Sequence, residues 1–440
     1  MPSAAHPALN PGVRRREVFG WAMYDFANSG YTTVVITAVF AAYFVGGIAQ
    51  KASWATLAWT ASLSLSYLIV MLTTPTLGAW ADLHASKRRL LMVVTVGCAL
   101  ATAALAFAGP GSLALAITLL VVSNVFYSWG ESLIAAFLPE LARPEDLGKV
   151  SGWGWGLGYL GGMLTLGLCL AYVLSAQARG ESADAFVPVT MVITACMYAG
   201  AAGVTFALLR ERAQPKPQAL HEGGLRASLH RLRQTFAQAR RYRDFMWLMA
   251  CVVCYQGGVA VAITLAAIYA EQVIGFQPQE TMVLIFALNA AAATGAFAWG
   301  YLQDRIGHRL ALGGTLVGWV ATCVIAALAV SKGQFWVAAA IAGVCMGSSQ
   351  SAGRAMAGLF APPERLAEFF GLWTFAGRLA SIIGPLSYGL ITWATQGNQR
   401  IAIAATSVLF IGALILLMKV DVRRGRAEAL AGGAGAVRSG

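Results

Sequence analysis

The sequence predicts an all-α polytopic membrane protein, with twelve transmembrane helices in two pseudo-symmetric six-helix bundles. Three observations lead there. The 440 residues are 58% hydrophobic and only 11% charged, with a mean hydropathy of +0.65, whereas soluble domains carry about 25% charged residues. The apolar runs repeatedly reach the roughly 20 residues that a helix needs to cross a bilayer. The second half of the chain also repeats landmarks of the first. This composition excludes a soluble enzyme, a disulfide-stapled secreted module and a disordered chain.

The spans are expected at 18–46, 54–81, 88–108, 111–137, 148–175, 186–209, 244–270, 280–302, 309–330, 335–360, 366–394 and 399–419. Residues 1–17 read as a tail with no cleavable signal, 18–209 as the first bundle, 210–243 as a basic linker, 244–419 as the second bundle and 420–440 as a second tail. Within the linker, Leu225–Tyr242 spaces its apolar residues like a helix lying on the membrane surface. The Gly/Ala-rich stretch from Ala429 is expected to be disordered.

The net charge of +12 follows topology. The first tail, the even-to-odd connections and the last tail hold 25 of the 31 Lys and Arg, while the opposite connections hold only Lys51, Arg179, Lys332 and Arg400. Basic residues stay in the cytoplasm, so both termini are expected there and the charge does not signal nucleic-acid binding. The seven cysteines sit in apolar runs and read as packed thiols, including Cys251 and Cys254. No histidines pair within spans and no phosphate loop of the form G-x-x-x-x-G-K-[ST] occurs. No metal, cofactor, catalytic centre or ATP drive is therefore expected.

Gly78-Ala-Trp-Ala-Asp82 closes the second span and Gly300-Tyr-Leu-Gln-Asp304 the eighth, and basic residues follow both: Lys87, Arg88 and Arg89, then Arg305 and Arg309. Glu131 lies eight residues before Pro139, and Arg354 eight before Pro362. Two parallel six-helix repeats with a path between them is a known transporter plan. The G-x-x-x-D loop with its basic cluster resembles the signature of the major facilitator superfamily. Four strings are similar to its "unknown major facilitator" family, which is related to the autophagy-linked vacuolar amino-acid effluxers of fungi: GWAMYDFANSGY (20–31), AAFLPEL (135–141), SGWGWGLGYLGG (151–162) and EFFGLWTFAGRLASIIGP (368–385). The resemblance implies a major-facilitator fold and a secondary transporter of amino acids or similar small polar solutes, working by alternating access as a bacterial inner-membrane permease. Tyr255-Gln256-Gly257-Gly258 departs from it where relatives often have an acidic Asn-Asp-Gly, so no acid role carries over there.

The charges inside spans carry the functional reading, because each costs about 2.5–3.5 kcal/mol at a helix centre and so faces a cavity or a partner. They are Asp25, Glu131, Arg354 and Arg378. Asp25, beside Asn28, is read either as a proton-coupling carboxylate or as a fixed hydrogen-bond partner. Glu131 shares a helix face with Asn124 and Tyr127, and Arg354 with Gln350, so the two stripes are expected to face each other and Glu131 to pair with Arg354. Either the pair gates the pore, or its members hold the amino and carboxylate groups of a substrate. Arg378, whose repeat counterpart is Tyr159, is the best candidate for an anionic group, since a guanidinium binds carboxylate bidentately; a structural pair with Asp25 or Glu131 is the alternative. Gln256 completes the candidate substrate contacts, and Glu131 joins Asp25 as a coupling candidate. Asp82, Arg88, Asp304 and Arg309 are expected to gate the cytoplasmic ends. The glycines from Gly152 to Gly162 and the Ala290–Ala293 run suit close helix packing, with Trp155 or Tyr159 as candidate cavity linings. The expected partners are a small solute, H+ and the bilayer, around a monomer. The competing function is a non-transporting membrane sensor or assembly partner that keeps the fold.

Overall fold

The computed structural model describes residues 8–50, 54–213 and 239–437. Twelve long helices span it: α1 (Arg15–Ile48), α2 (Ala55–Leu83), α3 (Lys87–Ala104), α4 (Leu113–Ala135), α5 (Leu147–Ala178), α6 (Ala183–Leu208), α7 (Arg243–Tyr269), α8 (Pro278–Ile306), α9 (His308–Leu328), α10 (Lys332–Phe360), α11 (Leu366–Ala394) and α12 (Gln399–Met418). Local chemistry sets several of their ends. Gln277 and Glu280 form a capping box at the start of α8, Ser331 and Asn398 cap α10 and α12, and Gly307, at φ 92°, turns the chain from α8 into α9. Eleven of the twelve are long and apolar enough to cross a membrane. The exception is α10, whose polar run Ser348-Ser349-Gln350-Ser351 and Arg354 lowers its hydropathy.

Two halves pack alike. Within the first, α1 lies against α5 and α6, α4 against α2 and α3, and α3 against α6. The same contacts recur in the second as α7 against α11 and α12, α10 against α8 and α9, and α9 against α12. Across the seam, α2 meets α11 and α5 meets α8. Glycines permit this proximity: a Cβ at Gly300 would lie 2.6 Å from the Gly148 carbonyl oxygen, and one at Gly371 2.8 Å from Pro75 Cα. Gly384 lets α11 approach α7, for a Cβ there would lie 2.9 Å from Gly257 Cα. The Gly148–Gly300 and Pro75–Gly371 contacts lie toward the face that carries the described ends of the chain, called the terminal face below.

Two expectations meet the structure differently. The surface helix expected at Leu225–Tyr242 falls outside the described residues as far as 238. The last segment, expected to be disordered, forms a helix α13 (Val422–Val437). Its alanines favour helix, and Arg424 anchors it with hydrogen bonds of 2.7 and 2.9 Å to the Asp244 carboxylate at the start of α7.

Candidate functional site

The four intramembrane charges form two ion pairs, and each joins an acid of the first half to an arginine of the second. Arg354 binds Asp25 rather than the expected Glu131, and Glu131 binds Arg378, the structural pairing read as the alternative for that arginine. The packing explains the exchange. As repeat equivalents, α4 and α10 do not face each other. Instead α4 lies against α11, and α10 against α5. Glu131 therefore meets Arg378 on α11. On the other seam, α5 offers Tyr159 at the equivalent place, so Arg354 reaches past α5 to Asp25 on α1. Gly154 leaves that gap open, for a Cβ there would lie 2.6 Å from Arg354 Nη2 and 2.7 Å from the Trp21 ring.

The Asp25–Arg354 pair is sealed. Arg354 Nη1 donates to Asp25 Oδ2 at 2.6 Å, and the two side chains are 3% and 10% exposed. Its Nε donates to Ser151 Oγ at 3.1 Å and its Nη2 to the Ser151 carbonyl at 2.9 Å. Ser151 in turn donates to the Ser351 carbonyl at 2.9 Å. The guanidinium carbon lies 4.7 Å from the Trp21 ring centroid and 5.3 Å from that of Trp155. A cation with a carboxylate, two further acceptors and two ring faces is fully compensated in low dielectric.

The Glu131–Arg378 pair is more open. Arg378 Nη2 donates to Glu131 Oε2 at 2.5 Å, with the side chains 15% and 24% exposed. Tyr67 and Tyr127 place their rings 5.3 and 5.8 Å from the guanidinium. Arg378 Nε is buried with no hydrogen-bond partner. A buried unmet donor costs about 1–3 kcal/mol, and a ligand acceptor would remove that cost.

The remaining predicted residues fall into three groups. Tyr127 joins the open pair and stacks on Tyr31 at 5.0 Å, while Tyr159 sits by Trp155, ring centroids 5.8 Å apart, on the side of Arg354. Asn28 accepts from the Tyr198 hydroxyl at 3.3 Å and Asn124 donates to Ser66 at 2.5 Å, both within the first half. Gln256 donates to Gln350 at 2.5 Å within the second. Sequence reasoning missed Trp21, Ser151 and Tyr67. Trp21 had a usable signal, since it precedes Asp25 by four residues and so shares its face.

At the terminal face, the two signature acids act alike. Asp82 ends α2 and accepts the Glu368 N–H at 3.0 Å, at the start of α11. Asp304 ends α8 and accepts the N–H groups of Gly148 and Lys149 at 3.0 and 2.9 Å, at the start of α5. Each carboxylate thus binds the positive end of a helix from the other half. Their expected companions do something else. Arg88 donates to the Phe206 carbonyl at 2.5 Å and Arg309 to the Met418 carbonyl at 3.0 Å, binding helix ends of their own halves.

A duplicated helical bundle, with the four charges read inside its spans paired across the seam, is the build of a membrane transport protein of the major facilitator class. Solved structures agree on the fold. The human organic anion transporter MFSD10 (TETRAN) superposes with a TM-score of 0.74 at 17% identity, covering 92% of this chain and 99% of that one. FucP in the outward conformation gives a TM-score of 0.71 at 14% identity, covering 92% and 98%. Residues 41–148 and 145–430 match the family described as "Vacuole effluxer Atg22 like", and the chain belongs to that family. It is similar to an uncharacterized MFS-type transporter, YxiO, of Bacillus subtilis (strain 168), 28% identical over 406 residues, 90% of this chain and 93% of that one. It is also similar to Autophagy-related protein 22-1 of Aspergillus niger (strain ATCC MYA-4892 / CBS 513.88 / FGSC A1513), 24% identical over 310 residues, 64% of this chain and 48% of that one. The match thus spans about half the length of that fungal relative. It is an integral membrane protein of a transporter family.

Proposed function

We propose that the chain is a proton-coupled secondary transporter of a small zwitterionic or anionic solute, an amino acid being the simplest example. It would work by alternating access in a bacterial inner membrane, with both termini cytoplasmic. The observation that carries this reading is the half-open Glu131–Arg378 pair with its unmet Arg378 Nε–H. A carboxylate entering from the face opposite the terminal one takes the guanidinium, and an ammonium group takes Glu131. The solute thereby replaces a contact across the seam, which frees the halves to move while every charge keeps a partner. Asp25 supplies the coupling: a proton on its carboxyl removes the counter-charge of Arg354 and loosens the sealed joint. The helix-end contacts that Asp82 and Asp304 make across the seam support reading the described conformation as closed on the terminal face.

The test uses purified protein in proteoliposomes, offered pooled amino acids and related small acids with and without a pH gradient. Gradient-dependent solute movement that Arg378→Ala abolishes and Asp25→Asn uncouples is the expected result. Movement indifferent to the gradient removes the coupling role of Asp25, and movement unchanged in Arg378→Ala removes the substrate assignment.

A further inference from the structure

We propose that an anionic phospholipid occupies a lateral groove at the seam and favours the conformation closed at the terminal face. This goes beyond the transport reading; the lipid's preference for one conformation rests on the alternating access proposed above, whereas its binding in the groove does not. The groove measures about 870 Å³ and lies between α1 and α5 of the first half and α8 of the second, within the size range of small-molecule sites. Its walls are mostly apolar: Phe19, Leu160 and Phe297 are each about half exposed there, with Leu157 and Ala298 beside them in the lining. In a membrane-spanning protein such a wall faces acyl chains.

Charge selects the head group. Arg15 is the one charged residue lining the groove, and it lies at the terminal-face end between exposed Arg14 and Arg16. The carboxylates of that corner are engaged elsewhere. Glu17 holds Arg212 at 2.7 Å, Asp146 holds Lys149, and Asp304 holds the N-terminus of α5. Among the described residues, Arg15 and Arg16 take part in no ion pair. A phosphate at Arg15 with a chain along Phe19 and Leu160 satisfies both features. A second concavity, about 620 Å³ around Pro385, Tyr388 and Trp393, has no charged lining and lacks this logic. The linker 210–243 is a poor occupant, because its nine Lys and Arg against Glu211 and Glu222 would meet a basic rim. Since the groove draws walls from both halves, a lipid lodged in it binds the state in which α5 and α8 touch and loses its site when they part.

Trp153 lines the groove and reports on it. The full chain is reconstituted with phosphatidylglycerol or phosphatidylcholine brominated on the acyl chain, and tryptophan quenching is compared at equal mole fraction. The expected result is stronger quenching by phosphatidylglycerol, an excess that Trp153→Phe removes. Arg15→Gln should lower the preference about fivefold, as expected for one arginine at an anionic surface. Ala298→Phe, which fills the groove with a ring that does not report and leaves Arg15 in place, should lower it too; unfolding midpoints confirm that both variants are folded. Equal quenching by the two lipids overturns the proposal, as does Trp153 untouched by either, the outcome if protein fills the groove. A preference that survives Arg15→Gln or Ala298→Phe also overturns it.

Discussion

Replacing Asp25 by Asn tests the sealed joint. The amide keeps an oxygen for one hydrogen bond from Arg354 Nη1 but removes the only carboxylate at 2.6 Å from that guanidinium. Arg354, 3% exposed, keeps the two Ser151 acceptors and the Trp21 and Trp155 ring faces. Breaking a buried ion pair costs about 3–5 kcal/mol, and the remaining contacts place this case at the lower end. About 3 kcal/mol is roughly a hundredfold shift against the state in which the pair exists. The assay is the distance between spin labels at Arg89 and Arg305, both exposed at the terminal face on opposite halves, in a chain freed of its seven cysteines. Wild type should give a short, narrow distribution, and Asp25→Asn a long-distance population. Adding Arg354→Met should restore much of the short population, because the neutral pair leaves no unpaired charge in the joint. An unchanged distribution in Asp25→Asn would refute the assignment of this pair as a joint of the closed state.

Three further outcomes follow from the same structure. Asp82→Ala and Asp304→Ala each remove a carboxylate from a helix N-terminus of the opposite half, at about 1 kcal/mol; each should raise the long-distance population about fivefold, and together the effects should multiply. Gly300→Val brings side-chain atoms to where a Cβ already lies 2.6 Å from the Gly148 carbonyl oxygen, so the protein should still insert in the membrane but fail to close, seen as a permanently long label distance. Asp421 accepts the N–H groups of Arg424 and Arg423, which hold its carboxyl below the ordinary range. A depressed carboxyl stabilises α13 above the ordinary value and loses that contribution as pH falls through its own, so the α13 cap should persist at neutral pH and fail only below about pH 4. Asp421→Ala should speed amide exchange in the first turn of α13 already at neutral pH.

The membrane spans were legible because hydrocarbon imposes its length on any helix that crosses it. Glu131, Arg354, Asp25 and Arg378 stood out for the same reason, since an ionised group inside a span needs a partner. Which partner was not legible. Repeat symmetry marks Glu131 and Arg354 as equivalent, but equivalence under a pseudo-twofold puts them on opposite seams, and only the packing of α4 on α11 and α10 on α5 shows it. Gly154 reads in sequence as one more small residue, yet its missing side chain lets Asp25 reach Arg354. Asp82 and Asp304 were found through the duplicated loop, whereas the work of Arg88 and Arg309 depends on α6 and α12 ending beside them, far along the chain.

The most direct measurement exchanges the open pair, Glu131→Arg with Arg378→Glu, and follows label distance and solute movement on the same preparation. If the pair both joins the halves and receives a solute carrying fixed charges in a fixed direction, the exchange restores the closed distance distribution but leaves transport abolished. Transport recovered to the wild-type rate alongside the closed state would contradict this, and would show that the two residues only hold the halves together.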